Sequence, residues 1–331
     1  MPFGLAGYLA ENSGQTPMTC IVRTMWTLEV DAHLAELVMV WHAFRGSYPH
    51  IRVIIAANTP HEAELLAEAG VEAILANHNM FLDEQVFRPL PRIEPTYDAV
   101  YNANFSPFKR RELTAVIETC VHLGYFSDTA MLKEALPLFR QARRALPHHH
   151  FANPIKDERV VRIPSARVNA ILASAHVGLC LSAEEGAMIA AMEYLLAGLP
   201  VVSTPSLGGR ERYFDPEFSI IVEPDPRKVR DAVLALKARA IPRSAVRQRT
   251  LRLVRRDREA FNSFIDGLRE GYPSVETEDE RFSFHYVNNL YQHTPLAELC
   301  RQLGFPLSYL GQPPNVMAML ERGMDDDGET G

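Results

Sequence analysis

Residues 182–204 read S-A-E-E-G-A-M-I-A-A-M-E-Y-L-L-A-G-L-P-V-V-S-T. The apolar run His176-Val-Gly-Leu-Cys-Leu181 just before them has the length and composition of a buried strand. Glu184-Glu185-Gly186 follows as a turn. Residues 187–197, rich in Ala, Met and Leu, predict a helix. Gly198 and Pro200 stop it, and Val201-Val202-Ser203-Thr204 is a second buried strand. Strand, turn, helix and strand make one βαβ crossover, so the sheet is parallel.

The turn is where chemistry can sit. The first N–H groups of the helix, expected near Gly186, Ala187 and Met188, lack partners within it and carry the positive end of its dipole. Such an end suits a diphosphate. Glu185 stands at its mouth and Glu193 lies eight residues on. At ~100° per residue the two are offset by about 80° and border one crevice.

Glu185-x7-Glu193, followed by Ala197-Gly198-Leu199-Pro200-Val201-Val202, resembles the donor-site signature of retaining glycosyltransferases of the GT-B fold, family 4 (group 1) in particular. An ordinary helix with two surface glutamates would share the spacing but not the buried strand and the glycine–proline stop. The resemblance implies that Glu185 contacts the donor sugar, that the amides of Gly186, Ala187 and Met188 hold the diphosphate, and that Glu193 takes the ribose hydroxyls. It also implies two Rossmann-like domains with parallel sheets facing across a cleft. The family opens its second domain with a strand, an Arg, and a Lys five residues later, both on the diphosphate. Here Lys109 stands at the Lys position, and Asn104 stands where the Arg belongs. Arg110 or Arg111 is then the candidate replacement. Three cations at a helix start are themselves unfavourable unless an anion offsets them. Gly208-Gly209-Arg210-Glu211 continues the likeness, which spans about residues 97–240 and fades outside them.

The chain has 331 residues, enough for two domains, and its 23% charged content fits a globular protein. A net charge of −7 gives no general attraction to nucleic acid. The exception is the arginine run at 243, 247, 249, 252, 255, 256 and 258, read either as a solvated helix face or as a patch for peripheral membrane association. Cys20, Cys120, Cys180 and Cys300 are widely spaced and suit reduced thiols in a cytoplasmic protein. The first residues lack the features of a signal peptide, and no apolar run is long enough to span a bilayer.

In the first part, strands at 20–26, 51–57 and 71–76 alternate with helices at 28–44 and from Thr59-Pro60, where Glu62 completes a capping box. His78 and Asp83 follow the third strand, at the edge where open α/β sheets bind ligands. They either orient an acceptor and share its protons, or hold a loop together. Three prolines in residues 88–95 suggest a domain boundary. We therefore expect an acceptor-side domain over 1–95, a donor-binding domain over 96–270 and a helical tail over 271–331. In the second domain, strands are expected at 97–104, 121–126, 159–163 and 219–223, and helices at 131–146, 165–175, 226–239 and 243–270. His148-His149-His150 reads as a loop, because adjacent histidines do not converge on one ion. Outside the acidic tail from Asp325 there is no Asp-x-Asp pair to hold a divalent metal. The sequence thus points to transfer of a sugar from a nucleoside-diphosphate donor to a hydroxyl acceptor, with retention, without metal or cofactor. Lys109, Glu185 and His78 are the catalytic candidates, and Asn104, Arg110, Gly186, Ala187, Met188, Glu193 and Asp83 the binding candidates. A nucleotide-sugar epimerase and a non-catalytic nucleotide-sugar-binding module are the alternatives.

Overall fold

The computed structural model describes residues 17–124 and 132–268, with Phe3, Leu5–Asn12 and Gln15 ahead of them. The segment expected to form a tail, with its aromatic cluster (Phe282, Phe284, Tyr286, Tyr291), Cys300 and the acidic end, lies outside the described residues. The chain divides into two units between His78 and Asn79.

The first unit runs α1 (Leu5–Asn12), β1 (Met18–Arg23), α2 (Asp31–Ser47), β2 (Ile51–Ala57), α3 (Pro60–Glu68) and β3 (Ala73–Leu75). Its three strands are parallel with β2 in the middle. The apolar face of α2 places Trp41 and Phe44 against Ile51, Val53 and Ile55, and the Trp41 indole donates to the Val53 carbonyl at 3.0 Å. Thr59 caps α3 as its sequence suggests, accepting from Glu62 N at 3.0 Å. The reciprocal half of the box is not made. The fully buried Glu62 carboxylate instead accepts from Asn58 N at 2.7 Å, Leu28 N at 2.9 Å and the Thr27 hydroxyl at 3.2 Å. These tie the loop after β1 to α3.

The second unit contains β4 (Tyr97–Asn102), β5 (Cys120–Leu123), α4 (Leu132–Ala145), β6 (His150–Phe151), a small hairpin of β7 (Ile155–Lys156) and β8 (Arg159–Val160), and α5 (Ser165–Ala173). It continues with β9 (Ala175–Cys180), α6 (Ile189–Leu196), β10 (Val201–Ser203), β11 (Ser219–Ile221), α7 (Pro226–Arg239) and α8 (Arg243–Leu268). Its six-stranded sheet has the order β11-β10-β9-β4-β5-β6, parallel throughout. The chain enters at the centre on β4, moves outward through β5 and β6, then returns to β9 and moves outward the other way. Strand order therefore reverses between β4 and β9, and open α/β sheets bind ligands outside the carboxyl ends of the strands at such a point.

Residues 79–95 pack with the second unit. The irregular segment just ahead of the prolines presents backbone carbonyls, and α8 takes them. Arg258, nearly buried, donates to Met80 O at 2.7 Å and Leu82 O at 2.9 Å. Arg247 donates to Glu84 O and Phe87 O, each at 2.7 Å. The Phe81 and Phe261 rings meet edge to face at 5.1 Å. The arginine run is thus divided between internal and exposed positions. Arg243, half-buried, holds Ala173 O and Ala175 O, and Arg249 pairs at the surface with Asp215 and Glu217. Arg249, Arg252, Arg255 and Arg256 are exposed. Among the described residues no helix is long and apolar enough to cross a membrane.

Candidate active site

The loops after β4, β9 and β10 meet at the carboxyl edge of the second unit's sheet. The loop after β9 stays irregular longer than expected. Met188 has φ 44°, so α6 begins at Ile189 rather than at 187. A left-handed methionine has no compositional marker, which is why the sequence gives the earlier start. Glu185, Gly186 and Ala187 are loop residues, and the helical offset expected between Glu185 and Glu193 does not apply to them. The helix donors without an intrahelical partner begin at Ile189.

Lys109, from the loop after β4, pairs with Glu185, from the loop after β9. Both are buried, with 7% and 8% exposure. The Ser182 hydroxyl donates to the same Glu185 oxygen. Arg210, 1% exposed, donates through Nη1 to Ser182 Oγ at 3.2 Å and through Nη2 to Thr204 O. The Tyr101 hydroxyl donates to Lys109 O and fixes the backbone beneath the ammonium. Burial lowers the Lys109 ammonium's pKa, nearby Arg210 and Arg111 lower it further, and the Glu185 carboxylate offsets only part of this. A buried ammonium with an excess of cations around it gains from any anion that reaches it.

The Lys-Arg-Arg run is not a helix start. It forms two 3-10 turns, Pro107–Lys109 and Arg111–Thr114, separated by Arg110 at φ 51°. The three cations point to separate tasks. Arg110 donates to Leu181 O and, at 2.7 Å, to Thr204 Oγ1, so it ties the loops after β9 and β10 to that after β4. Arg111 is buried, with its guanidinium 4.2 Å from the Phe105 ring centre and 5.0 Å from that of Tyr101. It donates to Ala103 O and Asn104 O. Asn104 closes its own turn, accepting from Ser106 N at 3.1 Å.

Glu193, on α6, accepts from Asn102 Nδ2 at 2.6 Å at the end of β4. Burial pushes this carboxyl up to about 7, against the pull of the Asn102 amide and Arg162. Its neighbour Tyr194 accepts from Asn102 N at 2.6 Å. That contact needs α6 close to the sheet, and Gly178 permits it. A Cβ at 178 would lie 2.4 Å from the Tyr194 ring.

Cys120, His122 and His149 bring possible ligand atoms within 4.8 Å of one another. The hydrogen bonds argue against a metal there. Arg111 can only donate, at 2.7 Å, to His122 Nδ1, so His122 Nε2 carries the proton and donates to His149 Nδ1 at 3.0 Å. His149 Nε2 then donates to Ile117 O at 3.0 Å. Every ring nitrogen is used, and a buried guanidinium adjoins the cluster. Burial and Arg111 hold His122 well below the ordinary histidine range. His149 is therefore structural, a role that spacing in the His148–His150 triplet does not reveal.

His78 lies in the first unit. Its backbone N donates to Asn58 Oδ1 at 3.0 Å, and burial together with Arg23 lowers its imidazole to about 3, so it is neutral at ordinary pH. Asp83, in the second unit, accepts from Gln85 N at 2.7 Å and its carbonyl accepts from Val86 N and Phe87 N, the bonds of a turn. Ser182, Arg210 and Asn102 were not singled out from sequence. Ser182 sits within the quoted motif, and Arg210 follows Gly208-Gly209, whose φ values of 95° and 80° form the turn that carries it inward.

Residues 139–239 match the family model of the glycosyl transferases group 1. No curated protein matches the chain. Among solved structures it resembles Anabaena Alr3699/HepE in complex with UDP and glucose, at 12% identity over 75% of this chain and 72% of that one, with a TM-score of 0.50. It also resembles the pneumococcal O-GlcNAc transferase GtfA in complex with UDP and GlcNAc, at 13% identity over 80% and 55%, TM-score 0.51. A third is the α,α-trehalose 6-phosphate synthase of Burkholderia multivorans, at 12% identity over 82% and 70%, TM-score 0.51. The fold is the α/β, parallel-sheet GT-B fold.

Proposed function

We propose that the protein is a group 1 glycosyltransferase that moves a sugar from a nucleoside-diphosphate donor to a hydroxyl acceptor, with retention of configuration and without a divalent metal. The observation that carries this reading is the buried Lys109–Glu185 pair at the sheet edge where strand order reverses. The partial family match and the fold support it.

In the reaction, the bond from the anomeric carbon to the diphosphate oxygen breaks and its electron pair stays on that oxygen. The acceptor oxygen bonds to the anomeric carbon on the same face, and its proton passes to the leaving phosphate. Lys109 and the backbone amides around Gly186, Ala187 and Met188 meet the growing negative charge. Glu185 accepts hydroxyls of the sugar, and Glu193 those of the ribose. Arg110 and Arg210 hold the loops in place instead of standing in for the arginine that the family pattern puts at 104. His78 remains the candidate for contact with the acceptor.

UDP is the first nucleotide to test, because it occupies two of the similar structures. The purified protein is incubated with a panel of UDP-, GDP- and ADP-sugars, with and without hydroxyl acceptors and excess chelator. Acceptor-dependent nucleotide release that survives chelator is the expected result. Interconversion of the sugar without acceptor, or binding without turnover, would replace this reading.

A further inference from the structure

Resting on the reading above, we infer that Asn102 is a positioning residue for the nucleotide: its side-chain amide holds one oxygen of the Glu193 carboxylate and so presents the other to the ribose hydroxyls.

Asn102 is the last residue of β4, at the carboxyl edge of the sheet, and pairs in register with Leu123 of β5. It reaches two consecutive residues of α6. Its Nδ2 donates to Glu193 Oε2 at 2.6 Å, and its backbone N donates to the Tyr194 hydroxyl at 2.6 Å. Adjacent side chains on a helix diverge by about 100°, so one residue that binds both sets the helix's rotation as well as its distance. Tyr194 is fully buried, so the main-chain bond is an internal anchor. Asn102 and Glu193 are half-buried, so the side-chain bond lies where a ligand can reach it.

Among the described residues the bond from Asn102 is the Glu193 side chain's one hydrogen bond, which leaves Oε1 to accept from elsewhere. A ribose offers two adjacent hydroxyl donors. An ionised carboxylate has about four lone-pair sites for them, whereas a protonated one gives up a site and becomes a competing donor. Burial favours the protonated form and pushes this carboxyl up to about 7, against the pull of the Asn102 amide and of Arg162. The amide N–H groups can only donate, so they hold the orientation of the carboxylate and its charge together. The other groups around α6 are engaged or neutral. Arg210 is bound to Ser182 and to Thr204 O, and Arg247 of α8 to Leu196 O. Burial keeps the Tyr194 phenol un-ionised and pushes the Cys180 thiol of β9 up to about 12. Asn102 and Arg162 are thus the groups that keep the carboxylate an acceptor.

Calorimetry of UDP and 2′-deoxy-UDP binding to the whole protein and to Asn102→Ala, between about pH 6 and pH 9, tests this. The substitution leaves the main-chain bond to Tyr194 in place, and circular dichroism confirms the fold. Near neutral pH the variant should bind UDP about tenfold more weakly, the scale of a lost hydrogen bond to a charged group. The ratio of variant to parent cancels titration of the nucleotide itself. Most of the loss should disappear by about pH 9, where Glu193 is ionised in both proteins. The preference for UDP over its 2′-deoxy analogue should shrink, and the donor KM should rise more than kcat falls. A folded Asn102→Ala with parental UDP affinity overturns the inference. So does an equal loss at every pH with the 2′ preference intact, which would mark a merely structural role. Glu193→Gln, measured alongside, separates the inference from the reading beneath it. If that variant loses UDP affinity while Asn102→Ala does not, the inference alone falls. If it binds UDP as the parent does, the ribose assignment falls and takes the inference with it. Asn102-dependent UDP binding in a protein that releases no nucleotide from any donor keeps the inference and overturns the transfer reading.

Discussion

Gly208 and Glu185 meet backbone to backbone. A Cβ at 208 would lie 1.8 Å from the Glu185 carbonyl oxygen, and Gly208 has φ 95°, a conformation that L side chains rarely adopt. The turn after β10 therefore braces the loop that carries Glu185 from below. Gly208→Ala must move one of them. It should cost about 1–3 kcal/mol of stability, the scale of a strained backbone residue. It should also lower kcat by roughly tenfold or more through displacement of Glu185. Thermal melts and steady-state rates check both parts, and an alanine variant with parental rates would show that the turn does not position the carboxylate.

Removal of Lys109 leaves the buried Glu185 carboxylate accepting from the Ser182 hydroxyl without its cation. Lys109→Ala should lose about 3–5 kcal/mol of stability, as when one partner of a buried pair is removed. It should also lose roughly 100-fold in turnover. Glu185→Gln in that background removes the stranded charge and should restore part of the stability but none of the rate. Denaturant titration of the two single variants and the double variant measures the coupling. Additive stability losses would mean that the pair is not the energetic unit described here.

Glu193 supplies a pH signature. Its folded-state carboxyl is raised from the usual 4.5 to about 7, so the folded protein binds the proton more tightly than the unfolded chain. The stability this gives is fully present below the unfolded value and is lost as pH rises through about 7. Between pH 5 and 8 the loss should be on the order of 1–3 kcal/mol. Glu193→Gln should flatten that slope. It should also weaken nucleotide binding, and a 2′-deoxy nucleotide should lose affinity for the parent but little more for the variant. A slope that persists in the variant would assign the titration to another group.

Much of this fold is written in local signals. Ile51–Ala57 and Pro226–Arg239 fall where they are expected. The strand is a near-continuous apolar run, and the helix has Asp225 as its cap and proline at its start. Gly198 and Pro200 mark the end of α6 in the same way. The start of α6 was not legible, because a left-handed Met188 follows from the packing of its loop. The attachment of residues 79–95 to the second unit was not legible for a related reason. Prolines at 89, 91 and 95 look like a linker, but Arg88 exchanges two hydrogen bonds with Asn169 of α5, and Arg247 and Arg258 of α8 hold the carbonyls just ahead of the prolines. Lys109 and Glu185 both stand out in the sequence as candidates, but their pairing is a long-range contact that motif spacing does not encode. Arg111 looked like a phosphate ligand by its neighbours in sequence, and it is spent beneath the site on His122 and two carbonyls.

The hydrogen-bond chain from Arg111 through His122 and His149 to Ile117 O gives a further expectation. Excess chelator should leave the melting temperature unchanged, because no ring nitrogen in the chain is free for an ion. Arg111→Met should destabilise the protein by about 1–3 kcal/mol through the acceptors it strands. A fall in melting temperature on chelation would make the Cys120–His122–His149 cluster a metal site after all.

The most direct test of the central claim compares two readings on Glu185→Gln, which keeps size and removes charge. One is the affinity for the free nucleoside diphosphate, and the other is the rate of acceptor-dependent nucleotide release from the full nucleotide sugar. If Glu185 serves the sugar ring, the rate should fall by roughly 100-fold while nucleotide affinity stays within about threefold of the parent. Equal losses in both, or a parental rate, would contradict the account.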